Sequence, residues 1–137
     1  MPQVLLVEDD AAIRVALTRS LHEQGHAVST TNTGMAALTA AVAQKPDVVL
    51  LDLGLPVMDG FEVAQRFRAL PEWRGLEIVA ITGYGQDIDR RRTRESGFDE
   101  HMVKPVRLDA LEAWLRRSQR RRHGGKPQSE RDQAEKR

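Results

Sequence analysis

Four short stretches carry side chains able to do chemistry, and each follows an apolar run. Glu8-Asp9-Asp10 follows Val4–Val7, Asp52 follows Val48–Leu51, Thr82-Gly83 follows Ile78–Ile81, and Lys104-Pro105 follows Met102-Val103. Brought together, Glu8, Asp9 and Asp52 would repel one another. Two such charges ~4 Å apart repel by ~4 kcal/mol at an effective dielectric near 20. Either protons are retained at raised pKa or a hard divalent cation binds. Oxygen-only ligands at a hydrated rim favour Mg2+, and no histidine at these ends supports zinc. A carboxylate neutralised in this way can attack phosphorus and form an acyl phosphate. Lys104 would add charge, and Thr82 with an amide beside Gly83 would add hydrogen bonds.

Taken one at a time, these residues have plainer readings. An acid after a strand is commonly a helix cap, and Asp10 is expected to be one. Thr-Gly and Lys-Pro are ordinary dipeptides. Their joint occurrence after four of five strand-like runs favours a shared site.

The elements that must position these residues follow from the pattern. Besides the four runs, Ala27–Thr31 is rich in β-branched residues. Helices are expected over Ala11–Gln24, Gly34–Gln44, Gly60–Ala69, Asp87–Ser96 and Leu108–Arg122, each with an apolar stripe or a stop signal. Ile13, Leu17 and Leu21 recur four apart in the first, which stops at Gly25. The order is β-α five times. Nearly continuous apolar strands alternating with helices predict an α/β, doubly wound parallel sheet covered on both faces. In such sheets ligands bind at the carboxyl ends of the strands, where the four stretches lie.

The chain has 137 residues, 30% of them charged, and no cysteine. One domain is expected, with no disulfide or thiolate chemistry. No apolar run approaches the ~20 residues of a membrane span, and the first run is too short for a secretory signal. The cytoplasm is therefore the expected location. Charge is uneven: residues 1–115 hold 12 Lys+Arg against 17 Asp+Glu, and residues 116–137 hold 9 against 3. A folded domain over residues 1–122 is expected, followed by a basic, disordered tail over 123–137 that lacks large apolar residues.

Val4-Leu-Leu-Val-Glu-Asp-Asp10, Val49-Leu-Leu-Asp-Leu-Gly-Leu-Pro-Val-Met-Asp-Gly60, Ala80-Ile-Thr-Gly83 and Val103-Lys-Pro105 together resemble the receiver domain of two-component response regulators. The resemblance covers about residues 3–119. It implies a flavodoxin-like sheet of order 2-1-3-4-5 with five helices. It assigns Asp52 as phosphoacceptor, Asp9 as a direct Mg2+ ligand and Glu8 as the acid holding the ion through water. Asp52 and the backbone carbonyl of Gly54 would complete the protein's ligands. Lys104, before a cis Pro105, would pair with the phosphoryl group, and Thr82 would move toward it. Pro56 and Gly60 fit the loop after the third strand. Where the family often has Tyr or Phe as a rotating switch, this chain has His101, whose charge also depends on pH. Gly83 stands where Ala is common.

The resemblance also implies a histidine kinase or histidine phosphotransfer protein as donor. Ala12, Ile13, Ala16, Pro105 and Val106 would face it. A surface formed by the fourth helix (Asp87–Ser96), the fifth strand (His101–Lys104) and the fifth helix (Leu108 onward) would carry the output to a protein partner not identified by sequence. Specific DNA binding by these residues is not expected, since only about 22 residues follow Leu115. The Leu-Gly-Leu-Pro and Thr-Gly-Tyr-Gly wording leans toward receivers attached to hybrid histidine kinases. Non-specific nucleic-acid contact by Arg116–Arg122 is the weaker reading, because no aromatic residue interleaves the run. A turnover phosphatase is disfavoured, because Gly54 stands where such enzymes place an acid/base aspartate. A flavin carrier is disfavoured by 4% aromatic content and an acidic rim. Gly54 and Tyr84, two past Asp52 and Thr82, offer poor support for an attacking water, which implies slow hydrolysis of the phosphoaspartate.

Overall fold

Strands and helices alternate along the chain as the apolar runs predict. The computed structural model describes residues 3–83 and 90–120. Tyr84, Asp87 to Asp89, Arg121, Arg122 and the 123–137 tail, on which some expectations rest, lie outside the described residues.

The elements are β1 (Gln3–Val7), α1 (Ala11–Glu23), β2 (Ala27–Thr31), α2 (Gly34–Gln44), β3 (Val48–Asp52), α3 (Gly60–Arg68), β4 (Glu77–Thr82), α4 (Arg90–Glu95), β5 (Glu100–Val103) and α5 (Leu108–Arg120). The five strands are parallel in the order β2-β1-β3-β4-β5. The fold is the flavodoxin-like doubly wound sheet.

Local chemistry explains the helix boundaries. Asp10, Thr33 and Asp59 each cap a helix, accepting from the amides of Ile13, Ala36 and Glu62 at 3.0–3.1 Å. Such a cap stabilises a helix by about 1 kcal/mol. α1 ends on Gly25 at φ 95°, where the amides of Gly25 and His26 return to the carbonyls of His22 and Leu21. α2 ends on Lys45, also left-handed at φ 51°, just before Pro46. After α3, Pro71 ends the helical pattern but opens a short 3-10 turn, Pro71–Trp73, that sequence reading missed. Trp73 packs edge-on to Phe67 at 5.6 Å.

The chain divides into units at residues 1–106 and 107–137. In the first, β1, β3 and β4 are buried on both faces. Leu5, Val7, Val49, Leu51, Ile78 and Ala80 form one core with Ala37 and Ala41 of α2 and Val63, Ala64 and Phe67 of α3. α1 lies along β1 and β2, burying Leu17 and Leu21, while Ile13 is half-buried. β5 is an edge strand, which explains why its sequence is only partly apolar. In the second unit, α5 is amphipathic, with Leu111, Trp114, Leu115 and Ser118 buried and Arg116 and Arg117 exposed.

At the amino-terminal edge of the sheet Arg68 gathers several loops. Its guanidinium donates to the carbonyls of Gly97, Trp73 and Leu76 and pairs with Asp99 at 2.8 Å. Asp99 also accepts from the Ile78 amide at 2.8 Å.

Candidate functional site

Parallel pairing aligns the strand ends. Val7 lies opposite Leu51, Asp52 opposite Ile81, and Thr82 opposite Val103. The residue that follows or ends each strand therefore emerges at one rim: Glu8, Asp52, Thr82 and Lys104.

Carboxylate oxygens of Glu8, Asp9 and Asp52 lie within 4.8 Å of one another. Glu8 and Asp52 are buried and Asp9 is exposed. The Lys104 ammonium sits between the two buried acids, 2.8 Å from Glu8 Oε1 and 3.2 Å from Asp52 Oδ2. Burial pushes the Glu8 carboxyl above the usual carboxylate range, with the Asp52 charge adding and Lys104 opposing. Burial alone would depress the Lys104 ammonium, but Glu8 and Asp52 outweigh it and hold it above its usual value.

Glu8 is held by hydrogen bonds on its backbone and on Oε2, while Oε1 has the Lys104 ammonium as its ion-pair partner. Its amide donates to the Thr31 carbonyl at 3.1 Å, and its Oε2 accepts from the Asp10 amide at 3.0 Å. Its carbonyl oxygen accepts from Arg14 Nη1 at 2.7 Å. Arg14 was not singled out by sequence reading, because its partner is a backbone atom that only the folded turn presents.

Asp52 is held on its other oxygen by the Gly54 amide at 2.9 Å. Gly54 is exposed at the start of the loop that Pro56 and Val57 cross before α3. Val57 has φ 69° with its side chain fully exposed, an uncommon pairing for a β-branched residue. The loop closes on Gly60, whose amide donates to the Leu53 carbonyl at 3.1 Å. A Cβ at Gly60 would stand 2.7 Å from the Asp52 carbonyl oxygen, so only glycine permits this approach. The Lys104–Pro105 peptide bond is cis.

Thr82 is buried, and its Oγ1 lies 3.2 Å from His101 Nε2. His101 Nδ1 is buried without a hydrogen-bond partner among the described residues. Burial pushes the imidazole below the ordinary histidine value, and the Arg90 charge adds to this while Glu100 opposes it. The ring also lines a cleft with Arg90, Thr93 and Arg94. Ala12, Ala16 and Pro105 are exposed, and Ile13 and Val106 are half-buried.

A family model described as the response regulator receiver domain matches residues 4–116. The chain belongs to this family. Its receiver is 45% identical over 121 residues to the transcriptional regulatory protein AfsQ1 of Streptomyces coelicolor, covering 88% of this chain and 52% of that one. It is 38% identical over 119 residues to the transcriptional regulatory protein TcrA of Mycobacterium tuberculosis, covering 87% and 46%. The chain thus spans about half the length of these curated relatives. Among solved structures, the receiver domain of the sensor histidine kinase PA1611 from Pseudomonas aeruginosa superposes with a TM-score of 0.77 at 29% identity, covering 85% of this chain and 95% of that one. That structure has a magnesium ion coordinated in its active-site cleft. The chemotaxis response regulator CheY4 of Vibrio cholerae gives 0.78 at 29% identity, covering 86% and 98%. The receiver therefore resembles both transcriptional regulators and a kinase-attached domain, and its place is in two-component signalling. Among the described residues no helix is long and apolar enough to cross a membrane.

Proposed function

We propose that Asp52 of this receiver takes a phosphoryl group from a phosphohistidine on a histidine kinase or phosphotransfer protein. The observation that carries this reading is the placement of Asp52 beside Lys104 and within reach of two further carboxylates. The all-oxygen donor set fits Mg2+: Asp9, Asp52 and the Gly54 carbonyl would hold the ion directly and Glu8 through water. When bound, the ion supplies positive charge that neutralises the carboxylates and the incoming phosphoryl oxygens.

The chain's own groups then have defined tasks. An Asp52 carboxylate oxygen attacks phosphorus, the P–N bond breaks, and its electron pair stays on the donor imidazole. The product is an aspartyl phosphate. The Lys104 ammonium shifts from carboxylate to phosphoryl oxygen, and the Thr82 hydroxyl exchanges His101 for the phosphoryl group. That exchange frees His101 and alters the face formed by α4 and β5, which carries the output. Exposed Ala12, Ala16 and Pro105, with Ile13 and Val106, form the donor-docking face. The receiver acts as a cytoplasmic switch rather than a turnover enzyme.

Intact-mass spectrometry after incubation with acetyl phosphate and Mg2+ tests this. One phosphoryl adduct is expected on the natural protein and none on Asp52→Asn. A full adduct on that variant would overturn the assignment.

A further inference from the structure

Asp9 reaches the metal site from an exposed turn, and no described hydrogen bond holds its side chain. Its direction must come from the backbone on either side. On the far side, the Asp10 amide donates to Glu8 Oε2 at 3.0 Å, and Asp10 Oδ1 accepts from the Ile13 amide at 3.1 Å. On the near side the anchor is Arg14. Its amide donates to the Asp10 carbonyl at 2.9 Å, as the first turn of α1 requires. Its half-buried guanidinium then folds back over that turn, and Nη1 donates to the Glu8 carbonyl oxygen at 2.7 Å.

The Glu8 carbonyl and the Asp9 amide belong to one planar peptide unit. Fixing the oxygen fixes the plane, and the plane sets where the Asp9 Cα stands. A charged donor makes the stronger kind of hydrogen bond, and this one is partly shielded from solvent. We infer that Arg14 is a positioning residue: by pinning the Glu8 carbonyl it aims Asp9 at the cation and thereby sets Mg2+ affinity. This rests on the reading of Asp9 as a direct ligand.

Two effects of Arg14 on the ion have opposite signs, which makes the inference sharp. A guanidinium beside an acidic cluster repels a dication, so removing its charge would tighten binding. Its hydrogen bond preorganises a ligand, so removing the bond weakens binding. Outer-shell partners of metal ligands typically govern ~10–100-fold in affinity, whereas the repulsion is screened at this half-exposed position. Positioning should therefore win.

The test is Mn2+ binding to the full chain, followed by the electron paramagnetic resonance of free ion, with Mg2+ as competitor. Arg14→Ala is expected to weaken binding by roughly tenfold. Arg14→Lys, which keeps a charged donor, should recover most of that loss, and Arg14→Gln should fall between. A urea transition on each variant establishes that it is folded. If Arg14→Ala lacks one, the Lys and Gln variants decide by their order. Unchanged or tighter binding in the Ala variant overturns the inference, as does equal weakness in all folded variants. Asp9→Asn separates the two levels. Lost binding there with unchanged binding in Arg14→Ala defeats only the positioning role. Unchanged binding in Asp9→Asn defeats the metal-ligand reading and the inference together.

Discussion

The two halves of the site are built on different terms. Around Glu8 the amide, the carbonyl and Oε2 are hydrogen-bonded at 2.7–3.1 Å, and Oε1 is ion-paired with Lys104 at 2.8 Å. Around Thr82 the carbonyl is bonded by the Lys104 amide, but the hydroxyl has, among the described residues, one contact, at 3.2 Å to His101, whose other nitrogen has none. The first half suits a task that needs fixed geometry, gathering negative charge around a cation. The second suits a task that needs two states of similar free energy, because one weak bond is easily exchanged for another. The two halves sit two strands apart on the same rim, with β3 between them.

The hardest blow to the fixed half is Lys104→Ala. It removes the cation between two buried acids and the charge expected at the phosphoryl group. Labelling by acetyl phosphate should fall by about 10²–10³-fold, the usual loss for one electrostatic contact in a reaction site. Stability should fall by less than the ~3–5 kcal/mol of a fully buried pair, because the Lys104 side chain keeps 18% exposure. Stop-flow labelling and urea denaturation read the two effects separately.

Gly60→Ala strikes the floor beneath Asp52. The added Cβ would meet the Asp52 carbonyl oxygen at 2.7 Å and the Leu53 Cα at 2.8 Å, neither of which can yield without moving the strand end. A loss of about 1–3 kcal/mol is expected from such overpacking, with slower labelling. A calorimetric melt unchanged from the natural protein would show that the loop relaxes freely.

His101→Phe should leave the fixed half alone, with metal affinity unchanged. Its effect belongs on the pH axis. The unfolded histidine takes its proton near pH 6.5, and the folded ring only at lower pH. Between those values the unfolded chain binds more protons, so this contribution to stability is full above the window and lost as pH falls through it. The natural protein should lose stability over that interval, and His101→Phe should flatten the slope in urea titrations run at stepped pH. The smallest effect expected concerns lifetime. Gly54→Asn with Tyr84→Glu should quicken decay of the aspartyl phosphate by supplying groups that orient water. Slower decay in that variant would contradict the argument made from Gly54.

What could be read before folding follows from how each signal is stored. Val4–Val7 and Val48–Leu51 are legible as strands because both of their faces are buried, so every residue is apolar. Asp10 is legible as a cap because its partner, Ile13, is three residues away. Asp52, Thr82 and Lys104 are legible as a site because parallel strands bring their ends to one edge. β5 is harder to delimit, since an edge strand tolerates Glu100 and His101. The turn at Pro71 was hidden because proline both stops one helix and opens another. Thr82 and His101 are singled out by the resemblance, but their mutual contact needs β4 and β5 side by side. Arg14 on Glu8 could not be read at all, because only the folded turn after β1 presents that carbonyl oxygen to it.

Arg68 carries a mechanical consequence. By holding the Gly97 carbonyl at 2.9 Å and Asp99 at 2.8 Å it anchors the chain just beyond the carboxyl end of α4. Phe98 is braced edge-on against Phe61 at 6.1 Å, and the Arg92 guanidinium lies 3.8 Å over that same ring. A displacement of α4 would therefore pivot near Gly97 and would have to lift Arg92 off the Phe61 ring. With six residues the arm is about 9 Å long. Along the described helix such a pivot would move Arg90 farthest and Glu95 least. Leverage is thus concentrated at the end of α4 that lies toward His101.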